Sequence, residues 1–148
     1  MKQEFKNFMT GKIIPLSEVS DVAFSHGTMG EGYAVIPEDG MAVAPFDGKV
    51  EVVMPNSHAV GLVGKSGVKV LIHLGLQTRN HDKSAFTVYV NPGDTVKTGD
   101  RLIFMDLEAL TVSGVDTVTP ITFTSGEVID LKKRGHAQAG EEGVLEIL

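Results

Sequence analysis

A chain of 148 residues, 42% of them hydrophobic, is long enough to build one domain around a real core and too apolar to be disordered. The absence of cysteine excludes disulfides, zinc–thiolate sites and cysteine nucleophiles, and is compatible with a reducing cytosol. A formal charge of −6 disfavours nucleic acid as a partner and favours a basic protein surface.

The N-terminus, MKQEFKNFMT, has no long apolar stretch, so it does not read as a signal peptide, and no run in the chain approaches the roughly 20 residues of a membrane span. Phe5, Phe8 and Met9, with Lys2 and Lys6 around them, cover about a turn and a half, too short to stand alone as a helix. Residues 1–10 are expected to fray as a tail and residues 11–148 to form a single domain. The initial methionine and the compact end favour a free-standing protein.

From Gly11 onward the chain is punctuated by turns: GEG (30–32), PEDG (37–40), FDG (46–48), GKSG (64–67), NPGD (91–94), KTGD (97–100), TSGE (124–127) and AGEEG (139–143). Short apolar or alternating stretches lie between them. No segment sustains a 3.6-residue period, and Leu107–Leu110 is at most one helical turn. Regular short strands between such turns predict an all-β antiparallel sandwich or barrel. A weak echo links Ala44-Pro45-Phe46-Asp47-Gly48 to Thr119-Pro120 followed by Ser125-Gly126, and Gly-Asp recurs six residues apart at 93–94 and 99–100.

The stretch NSHAVGLVGKSGVKVLIHLGLQT, residues 56–78, carries two of the five histidines. Gly64-Lys65-Ser66-Gly67 marks a turn, and the flanks Val60–Val63 and Val68–Leu74 are rich in β-branched residues. An even-length loop pairs Val63 with Val68 and sets His58 directly opposite His73, with Cβ atoms about 4.5–5.5 Å apart. An odd loop with a bulge would shift the pairing by one residue and separate them. The even register also sorts the faces. Ala59, Gly61, Val63, Val68, Val70 and Ile72 form a core side, while His58, Val60, Leu62, Lys69, Leu71 and His73 form a binding side. Two facing imidazoles suit a metal or a transferring anion. His26, His81 and His136 read as solvated loop residues.

These residues resemble the IIA domain of the glucose family of the bacterial phosphoenolpyruvate-dependent sugar phosphotransferase system. The likeness runs from about Gly11 to the C-terminus. It is carried by Asp21-Val22-Ala23-Phe24 with Met29–Pro37, by Val43–Val50 around Ala44-Pro45-Phe46-Asp47-Gly48, and by His58-Ala59-Val60, Ser66-Gly67-Val68 and Leu71–Leu76 with Thr78. The resemblance implies a duplicated hybrid-motif sandwich, with His73 as the phosphorylated residue and His58 as its partner. Nε2 of His73 would be the acceptor, with Nδ1–H donated to the carbonyl of Gly75. Asn56 stands where the family has a threonine and can hydrogen-bond His58 through its amide. Val60, Leu62 and Leu71, with Phe24 and Met54, would form the docking surface. The implied donor is HPr and the implied acceptor a IIB domain of a sugar permease, which gives an indirect link to the membrane from a cytoplasmic position. No cofactor or metal is required.

Two other readings stand beside this one. The stretch from Gln77 to Ala85 departs from the family pattern at Gln77, Arg79, His81, Lys83 and Ala85, which suits a regulatory binding module of the same fold that signals by its phosphorylation state. A zinc enzyme would use His58 and His73, but no His-x-His pair is present. Zinc shared between these histidines and a partner's carboxylate remains open.

Overall fold

The computed structural model describes residues 3–54, 58–76 and 83–148. Thirteen strands are described: β1 (Gly11–Pro15), β2 (Glu31–Pro37), β3 (Met41–Val43), β4 (Gly48–Val53), β5 (Ala59–Gly64), β6 (Lys69–His73), β7 (Phe86–Val88), β8 (Thr95–Val96), β9 (Arg101–Met105), β10 (Thr119–Phe123), β11 (Ile129–Leu131), β12 (Gly135–Ala137) and β13 (Leu145–Ile147). Eight of them form one sheet in the order β12-β1-β2-β10-β6-β5-β4-β8, three form a sheet β3-β9-β7, and β11 pairs with β13. Every described pairing is antiparallel. Among the described residues there are two short α-helices, α1 (Val22–Ser25) and α2 (Leu107–Val112). The all-β sandwich expected from the turn spacing is therefore the architecture observed.

One core cluster joins the two larger sheets: Tyr33, Val35, Leu62, Val70, Ile72 and Ile121 from the eight-stranded sheet meet Ala42, Phe86, Ile103 and Met105 from the three-stranded one. A second, smaller core lies on the outer face of the large sheet, where Leu16, Val19 and Phe24 cover Ala34 and Leu76. The strand β10 is buried along its whole length. That burial follows from its place between β2 and β6, with a core on each face.

The two Gly-Asp turns share one construction. Asp94 Oδ2 accepts from Asn91 N–H at 2.8 Å, and Asp100 Oδ2 accepts from Lys97 N–H at 2.8 Å. Gly93 and Gly99 both take a left-handed backbone, φ 93° and 90°, which glycine adopts without steric cost. The second turn is tied back to the FDG turn, because Thr98 donates to Asp47 Oδ1 through both its N–H and its hydroxyl.

Residues 5–9 are not a frayed tail. Phe8 and Met9 are fully buried, Phe5 meets the rings of Tyr33 and Phe123, and Phe8 O accepts from Val43 N–H at 2.8 Å. Asn7 explains the anchoring. Its Nδ2 donates to Met9 O at 2.7 Å and to Gln138 O at 3.1 Å, and its Oδ1 accepts from the Tyr33 hydroxyl at 2.7 Å. Burial pushes the Tyr33 phenol well above its ordinary pKa, which keeps the proton needed for that bond. Losing one of these buried partners would cost about 1–3 kcal/mol. The attachment is long-range, so a local reading of Phe5, Phe8 and Met9 could not reveal it.

Candidate active site

The β5–β6 hairpin carries both histidines, and its loop is odd. Gly64 N–H donates to Val68 O at 2.8 Å, and Gly67 N–H donates to Gly64 O at 3.0 Å. Gly67 is left-handed, φ 92°. A three-residue loop of Lys65, Ser66 and Gly67 therefore closes the hairpin, a common turn with a left-handed residue at its end. The register is Ala59↔His73, Val60↔Ile72, Gly61↔Leu71, Leu62↔Val70 and Val63↔Lys69. This is one residue from the expected register, and a one-residue slip turns every side chain of β5 to the other face.

The slip corrects two expected docking residues. Val60 and Leu62 face the core and are fully buried, opposite Ile72 and Val70. They cannot form a surface rim. The faces of β6 are as expected: Val70 and Ile72 are buried, Lys69 is exposed, and Leu71 and His73 are half-buried on the outer face. That face is shared on β5 by Ala59, Gly61 and Val63.

The histidines meet in spite of the slip. His58 precedes the first residue of β5, although the ladder reaches it: Leu74 N–H donates to His58 O at 2.7 Å. At this open end of the hairpin strict alternation no longer ties the side chain to one face. The two imidazole centroids are 5.1 Å apart with an interplanar angle of 68°, and both residues are half-buried. Phe24 also packs in a T-shaped contact with His73, at 5.6 Å and 63°. Its placement begins with Asp21, whose carboxylate accepts from Ala23 N–H at 2.9 Å and caps α1. This helix was not predicted; an Asp cap before a short apolar run is the signal that could have found it. His26 ends α1 and is exposed, and His136 stands on β12 beside Glu38 at 2.9 Å.

Past His73 the chain turns sharply at Gly75, whose φ of 76° favours glycine. The turn brings the Gly75 carbonyl back to Nδ1 of His73 at 2.7 Å. A carbonyl can only accept, so this contact requires Nδ1–H, and in the neutral tautomer Nε2 is then the unprotonated nitrogen. The peptide linking Gly75 to Leu76 is held at its other end, because Leu76 N–H donates to Asp116 O at 2.8 Å. Gly75 N–H donates to Thr119 Oγ1 at 3.2 Å, and that hydroxyl donates to Thr117 O at 3.0 Å. Thr119 is fully buried. In the sequence Thr119 shows only as part of an echo and Asp116 carries no signal, since neither is near His73 along the chain.

Met54 is half-buried just after β4, with its N–H on Ala59 O at 2.9 Å. Asn56 and Thr78, and the departures at Gln77, Arg79 and His81, lie outside the described residues. Among the described residues no group of three or more His, Cys, Asp or Glu is arranged to hold a metal ion, and no helix is long and apolar enough to cross a membrane.

The site is thus an imidazole whose Nδ1–H is held by a carbonyl, with a second imidazole beside it and an aromatic ring packed against it. Comparison with known proteins gives the same direction. Residues 3–129 match the family described as "phosphoenolpyruvate-dependent sugar phosphotransferase system, EIIA 1". The structure is similar to that of glucose permease IIA from Mycoplasma capricolum, with a TM-score of 0.87 and 31% sequence identity, covering 99% of this chain and 95% of that one. The chain belongs to the EIIA family of the phosphoenolpyruvate-dependent sugar phosphotransferase system, as a component of sugar transport.

Proposed function

We propose that this chain is a phosphocarrier that takes a phosphoryl group from phospho-HPr onto Nε2 of His73 and passes it to a IIB domain. The observation that carries the reading is the contact of Nδ1 of His73 with the Gly75 carbonyl. It presents Nε2 as the nucleophile without a prior proton transfer.

In the first step the Nε2 lone pair attacks phosphorus and the bond to the donor imidazole breaks. The proton on Nδ1 stays where it is, and the acceptor ring becomes cationic. The Gly75 carbonyl then accepts a charge-assisted hydrogen bond, of the class worth about 1.5–3 kcal/mol. Because the Gly75–Leu76 peptide is tied to Asp116, this dipole needs no reorganisation as charge develops. Phosphoryl transfer demands positioning and charge stabilisation more than covalent help. His58, one ring away, serves as hydrogen-bond donor to a phosphoryl oxygen and manages the proton on release.

Docking falls to the outer face of the hairpin and its neighbours, with half-buried Leu71 two residues from the acceptor along β6 and half-buried Met54 just after β4; Phe24, expected on this surface, is buried in the second core and packs against His73 instead. The partners meet this face from the cytoplasmic side, and the sugar is read by the permease.

The test is incubation with phosphoenolpyruvate, enzyme I and HPr, followed by mass spectrometry under conditions that preserve acid-labile phosphate. One phosphoryl group on His73 is expected. A chain that stays unlabelled, or carries the label elsewhere, contradicts the proposal.

A further inference from the structure

The outer face next to His73 contains a charged pair that the transfer chemistry does not use. Along β6 the outward residues are His73, Leu71 and Lys69. The Lys69 ammonium lies 3.2 Å from a Glu51 oxygen, with about half of the lysine side chain and two-fifths of the glutamate side chain exposed. The two residues sit on strands separated by β5, a span of about 9.6 Å for two inter-strand steps.

Two features make this span possible. β5 presents Gly61 opposite Leu71, one outward position along from Val63, which stands opposite Lys69. A Cβ at Gly61 would stand 2.8 Å from Val52 Cγ1 and 3.9 Å from Leu71 Cδ1, so those side chains close over the glycine. The pairing of β4 with β5 also shifts between Val50 and Val52, because Val50 faces Leu62 and Val52 faces Gly61. Glu51 is the extra residue of this bulge. Val50 is buried while Glu51 and Val52 are both exposed, so the bulge turns two successive side chains outward. Bulges beside functional sites commonly re-aim a side chain in this way.

Lys69 also falls within reach of a docked partner. It lies four residue steps along β6 from His73, about 13 Å. A standard interface covers about 800 Å² on each partner, a disc of about 16 Å radius. A partner centred on His73 therefore covers Lys69. On a chain of net charge −6, whose complementary partner is basic, an unpaired lysine here would repel that partner.

We propose that Glu51 and Lys69 form a specificity element of the docking face, in which Glu51, re-aimed by the bulge, neutralises Lys69 so that a basic phosphoryl donor can seat on Leu71 and Val52. The inference rests on the phosphocarrier reading. The experiment measures the second-order rate of phosphoryl transfer from phospho-HPr to the parent chain, Glu51→Gln, Lys69→Gln and the double variant, at low and high salt. Glu51→Gln is expected to slow transfer by about threefold to tenfold at low salt, and Lys69→Gln to accelerate it by a similar factor. Both effects should fade at high salt, and the double variant should return to within about twofold of the parent. The final extent of labelling on His73 should be the same in all four. Single variants that both match the parent, or that both slow transfer, overturn the inference while leaving a labelled parent to support the phosphocarrier reading. An unlabelled parent overturns both.

Discussion

Replacing Leu62 with alanine separates the two possible hairpin registers by a large margin. In the observed register Leu62 is fully buried opposite Val70, within the core between the sheets. Truncation removes three buried carbons and leaves a cavity that close-packed neighbours fill only in part. Buried Leu→Ala changes cost about 2–5 kcal/mol, and about 3 is expected here because β5 is an interior strand of the sheet and its backbone cannot collapse inward freely. For a domain of this size each kcal/mol lowers Tm by about 2–4 °C, which gives a fall of about 6–12 °C. The assay is urea and thermal unfolding of the parent, Leu62→Ala and Leu71→Ala, alongside phosphate uptake well below the transition. Leu71 is half-buried on the outer face, so its truncation should cost about 1 kcal/mol and weaken docking instead. A Leu62→Ala variant as stable as the parent, with slowed transfer, would put Leu62 on the surface and refute the observed register.

Three further outcomes follow from single side chains. Thr122 is fully buried, and its hydroxyl finds no hydrogen-bond partner among the described residues, so Thr122→Val should raise stability by about 1 kcal/mol in urea unfolding; a loss of stability would mean that the hydroxyl has a partner. Thr119→Val leaves Gly75 N–H unpaired, and should cost about 1–3 kcal/mol and slow phosphate uptake by loosening the residue that orients His73; full activity would show that this support is dispensable. His58→Gln should still accept phosphate on His73 but discharge it to a IIB domain more slowly, because glutamine donates a hydrogen bond and cannot titrate; discharge timed at the parent rate would remove His58 from proton management.

Much of the site was legible in the sequence because its signals are local. The turn at Gly64–Gly67, the outward row of β6 and the His-x-Gly spacing that brings the Gly75 carbonyl to His73 all lie within 20 residues. The loop parity was not legible. Gly64 and Gly67 allow an even or an odd loop, and β5 reads Ala-Val-Gly-Leu-Val-Gly, apolar on both faces, so alternation could not choose between registers. The even register sets the histidines opposite each other and also sorts the faces, yet the histidines meet from the odd one because His58 lies beyond the end of the strand. The anchoring of Asn7 and the support of Gly75 by Asp116 and Thr119 depend on contacts 26 or more residues apart, which periodicity does not encode. The bulge at Glu51 was likewise invisible, since Lys49-Val50-Glu51-Val52 reads as an unbroken alternation.

The central claim is that His73 is held as the Nδ1–H tautomer and carries phosphate on Nε2. Nitrogen-15 NMR of histidine-labelled chain, before and after phosphorylation by phosphoenolpyruvate, enzyme I and HPr, measures this directly. The expected result is a neutral His73 protonated on Nδ1 that becomes phosphorus-coupled on Nε2 while Nδ1 keeps its proton. Phosphorus coupling on Nδ1 of His73, or on either nitrogen of His58, would contradict it.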